Sequence, residues 1–246
     1  MKFVFVIAIV LSTVLGNTQT KFTTSPKRPA PMPTVTRDSH VRELIANSQL
    51  RVYRIELGPG EATAVSPHSH DFLIVSIGDS EFELSGAVNS IPFTMKDSEV
   101  QVIKGRWPHR VVNKASRPLR LVEVDVVRGI APERASCGLN ASPCRESKFA
   151  FNDQDKYVTG TLFETPSIKL SKVEIDPQSG MAEHGHTGDH VMIALTDQFV
   201  ASAVIGGRIE DFDAKAGDAA WQTGGMVHRL INRGGQKALF LTIECK

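Results

Sequence analysis

His184-Gly185-His186-Thr187-Gly188-Asp189-His190, followed at a distance by Gly217 and by Thr223-Gly224-Gly225-Met226-Val227-His228 with Asn232 behind it, is the stretch that decides how this chain is read. On a strand, residues i and i+2 project from one face, so His184 and His186 are aimed into one interior. Thr187-Gly188-Asp189 supplies turn-forming residues that fold the chain back and bring His190 toward the first pair. His228 then joins them from a remote strand. Neutral imidazole is a common ligand for first-row transition metals, so four histidines at these spacings predict a bound divalent ion on His184, His186, His190 and His228. The competing reading is a set of interior histidines satisfied by hydrogen bonds and water.

The stretch has a counterpart earlier in the chain. Asp71-Phe-Leu-Ile-Val-Ser-Ile-Gly-Asp79 lies over Asp189-His-Val-Met-Ile-Ala-Leu-Thr-Asp197, and His109-Arg-Val-Val-Asn113 lies over His228-Arg-Leu-Ile-Asn232. From there the register runs without a gap, setting Leu119–Asp125 over Ala238–Glu244. A period this long describes a duplicated domain, because solenoid units run roughly 20 to 50 residues. Of the eight histidines, seven fall in the two matching sets: His68, His70 and His109 first, the four already named second.

These residues carry a family resemblance. Both halves resemble cupin domains, small antiparallel β-barrels marked by a first motif G-x5-H-x-H-x3,4-E-x6-G and a second motif G-x5-P-x-G-x2-H-x3-N. Gly217 to Asn232 follows the second motif with Thr223 in place of proline. His184 and His186 supply the paired histidines of the first. The chain departs from the pattern at His190, which stands where the family has glutamate, and at the leading glycine, which is displaced to Gly180. The resemblance implies an all-β fold of two tandem cupin-type antiparallel barrels (a double-stranded β-helix or jelly roll in each half) with a metal in the second.

The first half is a looser match. Counted forward from His70, the glutamate position falls on Ile74 or Val75, neither of which binds metal. Aligned on Asp71 instead, Phe72 takes the place of His190, His68 that of His186, and Ser66 that of His184. Either way a ligand is missing. His68, His70 and His109 are carried as a second candidate metal site, and a degenerate barrel kept for packing is the favoured expectation.

Periodicity agrees with a β fold. Arg51–Leu57, Val100–Ile103 and Leu119–Val126 alternate apolar and polar residues, and Phe199–Ile205 with Arg208–Phe212 reads as a hairpin around Gly206-Gly207. Only Arg42–Asn47 has a helical look. With 246 residues, 41% of them apolar, there is material for two barrels, expected at 40–128 and 155–246 with a connector at 129–154. The 28 basic and 27 acidic residues are scattered, net charge +1, without the basic stripe of a nucleic-acid binder.

The first 16 residues read as a signal peptide: Met1-Lys2, then an apolar run from Phe3 to Gly16 too short to span a bilayer. Residues 17–39, with Pro26, Pro29, Pro31 and Pro33, form an extended leader. A secreted or periplasmic location follows, with no stable membrane span after cleavage. Of the three cysteines, Cys137 and Cys144 lie in the connector and are expected to form a disulfide, leaving Cys245 as a small apolar residue. The partner expected in the site is a small molecule, and homodimerisation is left open.

A divalent ion held by neutral imidazoles keeps its full charge and favours an anionic chelate such as an enolate, catecholate or carboxylate. Cupin dioxygenases similar to this arrangement use ferrous iron on three histidines. The donor set equally accommodates manganese, zinc, nickel or copper. Two classes of function stay in view: a metal-dependent enzyme of the dioxygenase kind, and a non-catalytic metal- or small-molecule-binding protein of the cell envelope.

Overall fold

A computed structural model of the chain describes residues 38–144 and 155–246. All of them belong to one compact unit spanning Thr36–Lys246. The expected signal peptide, nearly all of the leader and residues 145–154 of the connector lie outside the described residues.

The first half contains β1 (Val41–Ala46), β2 (Leu50–Leu57), β3 (Phe72–Ser76), β4 (Ser80–Gly86), β5 (Ser90–Met95), β6 (Val100–Ile103), β7 (His109–Asn113) and β8 (Leu119–Val126). The second contains β9 (Tyr157–Glu164), β10 (Ile168–Ile175), β11 (Gly180–Gly185), β12 (His190–Ala194), β13 (Gln198–Val204), β14 (Ile209–Ala214), β15 (Ala219–Gln222), β16 (Val227–Asn232) and β17 (Ala238–Cys245). Each half folds as two facing sheets: β1-β2-β8-β3-β6 over β5-β4-β7, and β9-β10-β17-β12-β15 over β14-β13-β16-β11. The strand pairs are antiparallel throughout. Both halves are antiparallel barrels, and the strand order of one repeats in the other.

Period-two alternation explains what each barrel strand does. Along β8, Leu119 and Leu121 face the first barrel's interior with Ile55, Phe72, Ile74 and Phe82. Val122, Val124 and Val126 face outward into a second core, which they share with Leu73, Val75, Leu170, Val191, Ile193 and Ile243. The barrels therefore pack sheet face against sheet face. This is why β3 and β12 are buried along their whole length and carry the apolar runs Phe72–Val75 and Val191–Ala194. The same parity turns His190 and Met192 of β12 into the second barrel, beside Phe240 and Leu230.

Two local readings are corrected. Arg42–Asn47 belongs almost entirely to strand β1, which pairs with β2 through a bulge between Glu43 and Ile45. Leu44 and Ile45 both pack on the shared core, and that burial outweighs their helical propensity. The β13–β14 hairpin is joined by Ile205–Arg208 rather than by the two glycines alone, with Gly206 at φ 71°. Cys137 and Cys144 form a disulfide and Cys245 is free. Cys137 also exchanges backbone contacts with Glu164 of β9, so the bridge anchors the start of the connector to the second barrel.

Candidate metal centre

Strand pairing sets His184 of β11 directly opposite His228 of β16. Directly opposed residues on one face of an antiparallel pair are close enough for their side chains to touch. The two Nε2 atoms stand 3.0 Å apart. His186 follows β11 by one residue on the same face, and nitrogens of His184, His186 and His228 all lie within 4.8 Å of one another.

The hydrogen bonds around the rings decide which nitrogens are available. His184 Nδ1–H donates to the Ala182 carbonyl at 2.9 Å, so that in the neutral ring the lone pair is on Nε2. His228 Nδ1 is 2.8 Å from the Ser202 hydroxyl. In the tautomer that gives the Nδ1–H of His228 to that oxygen, the two Nε2 lone pairs face each other and a cation fits between them; in the other, the Ser202 hydroxyl donates to Nδ1 and His228 Nε2–H donates to His184 Nε2. Two imidazole nitrogens each about 2.0 to 2.1 Å from one ion stand about 3 Å apart when they subtend about a right angle. The observed separation matches, and the residues present fit a divalent metal. Burial, reinforced by neighbouring histidines, pushes His228 down to about 3 and His190 down to about 4, and lowers His186 as well. These imidazoles are neutral at pH 7, the form that binds metal.

Of the four sequence-predicted ligands, the structure gathers three. His190 is fully buried, but its ring lies parallel to that of His186 with centroids 3.9 Å apart, and 6.3 Å from that of His228. Stacked rings present faces to each other rather than aiming nitrogens at a common point, so His190 backs the triad. Its Nδ1 is buried without a hydrogen-bond partner.

The turn between His186 and His190 is held from several directions. Asp189 accepts from the Gly224 amide at 2.8 Å and from Gln49 Nε2 at 2.8 Å, the latter across the seam from the first barrel. Gly224 sits against the backbone of Gly188 so closely that a Cβ would come within 2.6 Å of its carbonyl carbon. Glu244 accepts from the Gly188 amide and the Thr187 hydroxyl, and stands 3.9 Å from His186 Nδ1. Burial opposes its ionisation, but these donors, the neighbouring His186 and the Lys169 ammonium outweigh burial and hold the carboxyl below its ordinary range. Asn232, the last residue of the second motif, is structural: its Nδ2 donates to the carbonyls of Ile175, Asp176 and Gln236, and its Oδ1 accepts from Gly234. Asn113 does the same in the first barrel.

A cavity of about 210 Å³ opens onto the triad. Val173, Met192, Leu230 and Phe240 make its apolar part, and Thr159, Thr161, Ser171, Thr242, Lys169 and Glu244 its polar part. Motif spacing had pointed to the histidines alone. Lys169 and Glu244 were legible only through strand parity, as the interior-facing ends of Lys169-Leu-Ser171 and Thr242-Ile-Glu244.

In the first barrel, Ser66 bridges His109 as His184 pairs with His228. Asp71 accepts from Gly105 as Asp189 does from Gly224. Phe72 pairs with Asp125 as His190 does with Glu244. The alignment on Asp71 is therefore the structural one, and His70 occupies the place of Gly188, its carbonyl pressed against Gly105. His68 and His109 do approach, with ring centroids 4.8 Å apart, but Phe72 stacks on both, and His70 makes no ring contact with them. Among the described residues, the only group of three or more metal-capable donors is His184, His186 and His228. Beside His68, at 3.7 Å, lies the carboxyl of buried Glu123. Burial pushes Glu123 up to about 8 and His68 down to about 4, so both are neutral at pH 7. Cys245 is also inert as a thiolate, since burial raises it to about 11.

No protein-family model matches the chain, and no curated protein matches it in sequence. Solved structures do match in shape. A cupin 2 conserved barrel domain protein from Leptotrichia buccalis aligns over 87% of this chain and 92% of its own, with a TM-score of 0.52 at 14% identity. AerE from Microcystis aeruginosa aligns over 85% and 98%, with a TM-score of 0.55 at 12% identity. Oxalate decarboxylase of Bacillus subtilis, a protein with Mn(II) centres, aligns over 80% of this chain and 68% of its own, with a TM-score of 0.54 at 13% identity. With two barrels of matching strand order, and the paired histidines and the motif asparagine in their expected places, the chain has the two-barrel cupin fold.

Proposed function

We propose that this is an exported metal-binding bicupin whose second barrel holds one divalent transition metal on His184, His186 and His228 and acts on a small anionic or chelating molecule, as a dioxygenase of the ferrous type. The observation that carries the metal is the pair of Nε2 atoms at 3.0 Å, each with its Nδ1 bonded on the far side. When bound, the ion supplies a Lewis acid and a centre for activating O2. The chain's own residues do the rest. Ser202 and the Ala182 carbonyl orient two ligand rings, Glu244 lies against the third, and His190 shields it from behind. Val173, Met192, Leu230 and Phe240 keep bulk water from one side of the cavity. The apolar run from Phe3 to Gly16 and the Cys137–Cys144 disulfide support export, because disulfides persist in oxidising compartments.

Elemental analysis of the purified mature chain, followed by O2 uptake with diketone and phenolic substrates, tests both levels. About one transition-metal ion per chain with substrate-dependent uptake is expected. Stoichiometric metal with no uptake in any substrate would remove the dioxygenase assignment and leave a binding protein.

A further inference from the structure

The two barrels differ in what fills the space in front of their histidines. In the first, Tyr53 pairs across β2 and β8 with Glu123, and Phe72 stacks on His68 and His109. In the second, the positions of Tyr53 and Glu123 are taken by Ser171 and Thr242, which pair across β10 and β17. The replacement of a phenol and a carboxylic acid by two short hydroxyl side chains leaves the cavity of about 210 Å³. That volume is below the roughly 300–1,000 Å³ of pockets for drug-sized ligands, so its occupant is a small metabolite. One strand position outward, Lys169 pairs with Glu244 and lines the same cavity. Among the described residues its ammonium has no ion-pair or hydrogen-bond partner, because Glu244 is engaged by Thr187, Gly188 and His186. Its charge reaches the site, depressing both His186 and Glu244. A lysine without a direct ion-pair or hydrogen-bond partner, lining a small cavity together with the triad, Glu244 and a band of hydroxyls, is suited to an anion with several oxygens.

We propose that Lys169 is the anion-recognition residue of this pocket, holding the carboxylate of a small hydroxy- or oxo-acid whose remaining oxygens reach the metal on His184, His186 and His228 and the hydroxyls of Thr161, Ser171 and Thr242. The proposal rests on the metal-centre reading above. It assigns substrate class to a residue outside the triad and the motifs.

The test uses the full chain loaded with Co(II), titrated calorimetrically with glycerate and with its uncharged amide, while Co(II) stoichiometry is followed by elemental analysis and folding by circular dichroism. Wild type should bind glycerate at least tenfold more tightly than the amide. Lys169→Met should weaken glycerate at least tenfold, leave the amide and the Co(II) content unchanged, and so erase the preference, whereas Lys169→Arg should keep it. Ser171→Tyr, which restores the first barrel's filling, should exclude both molecules with Co(II) still bound, and Lys169→Gln, which also removes the charge, repeats the Lys169 test if Lys169→Met is poorly folded. Co(II)-loaded wild type that ignores glycerate, or Lys169→Met that binds it as wild type does, would overturn the role of Lys169 while leaving the metal centre standing. Wild type that takes up no Co(II) would overturn both.

Discussion

At the scale of single residues, the two barrels hold buried ionisable groups with opposite consequences. His190 and His228 sit near 4 and 3 in the folded chain against an ordinary 6.5. As pH falls through 6.5 the unfolded chain takes up protons that the folded chain refuses until about 4, so the metal-free protein loses stability across that window. Chelator-treated chain followed by urea unfolding should show its midpoint dropping from pH 7 to pH 4, and His190→Gln should flatten the drop; an unchanged slope in the variant would count against the buried-neutral assignment. Glu123 works the other way. Its carboxyl is raised to about 8 from 4.5, so the stability it contributes is complete below 4.5 and lost as pH rises through 8. Glu123→Gln keeps the shape without the ionisation, and its melting temperature should gain on wild type from pH 5 to about pH 8 and level off above that. A constant difference would mean that Glu123 is ionised in the fold.

At the scale of elements, the strands were legible because alternation and burial coincide, and the exceptions have physical causes. β1 carries Arg42, Glu43 and Ala46, residues at ease in a helix, and became a strand through pairing with β2, which no local pattern announces. The histidine pair with its remote partner could be read from spacing, since strand geometry fixes which side chains share a face. The parallel ring of His190 could not, because spacing places a Cα but not a ring plane. Glu123, Lys169 and Glu244 were hidden among alternating residues whose inward parity becomes visible only once the barrel closes. The turn from His186 to His190 depends on backbone approach at Gly224, where a Cβ would meet Gly188 and Asp189 backbone at 2.6 to 2.9 Å. Gly224→Ala should therefore cost about 1–3 kcal/mol in chemical denaturation and weaken metal binding by displacing His186, whereas Gly235→Ala, which meets nothing within 4 Å, should be near neutral. Equal effects at the two glycines would contradict this account of the turn.

At the scale of the whole molecule, one duplicated unit has been put to two uses. Pairing, the Asn113 and Asn232 brackets, and the Asp71 and Asp189 contacts with their glycines are common to both halves. The interiors diverge, packed around Phe72 in one and open to the triad in the other, with the seam core of Leu73, Val124, Val191 and Ile243 joining them. Alkylation of unreduced protein should label Cys245 alone once the chain is denatured, and three labelled thiols would remove the Cys137–Cys144 bridge. The central claim is that metal belongs to the second barrel. Inductively coupled plasma mass spectrometry of wild type, the His184→Ala/His186→Ala double variant and the His68→Ala/His70→Ala double variant tests it most directly. The account predicts about one ion per chain in wild type and in the first-barrel variant, and none in the second-barrel variant. Metal lost from the first-barrel variant and retained by the second-barrel variant would contradict it.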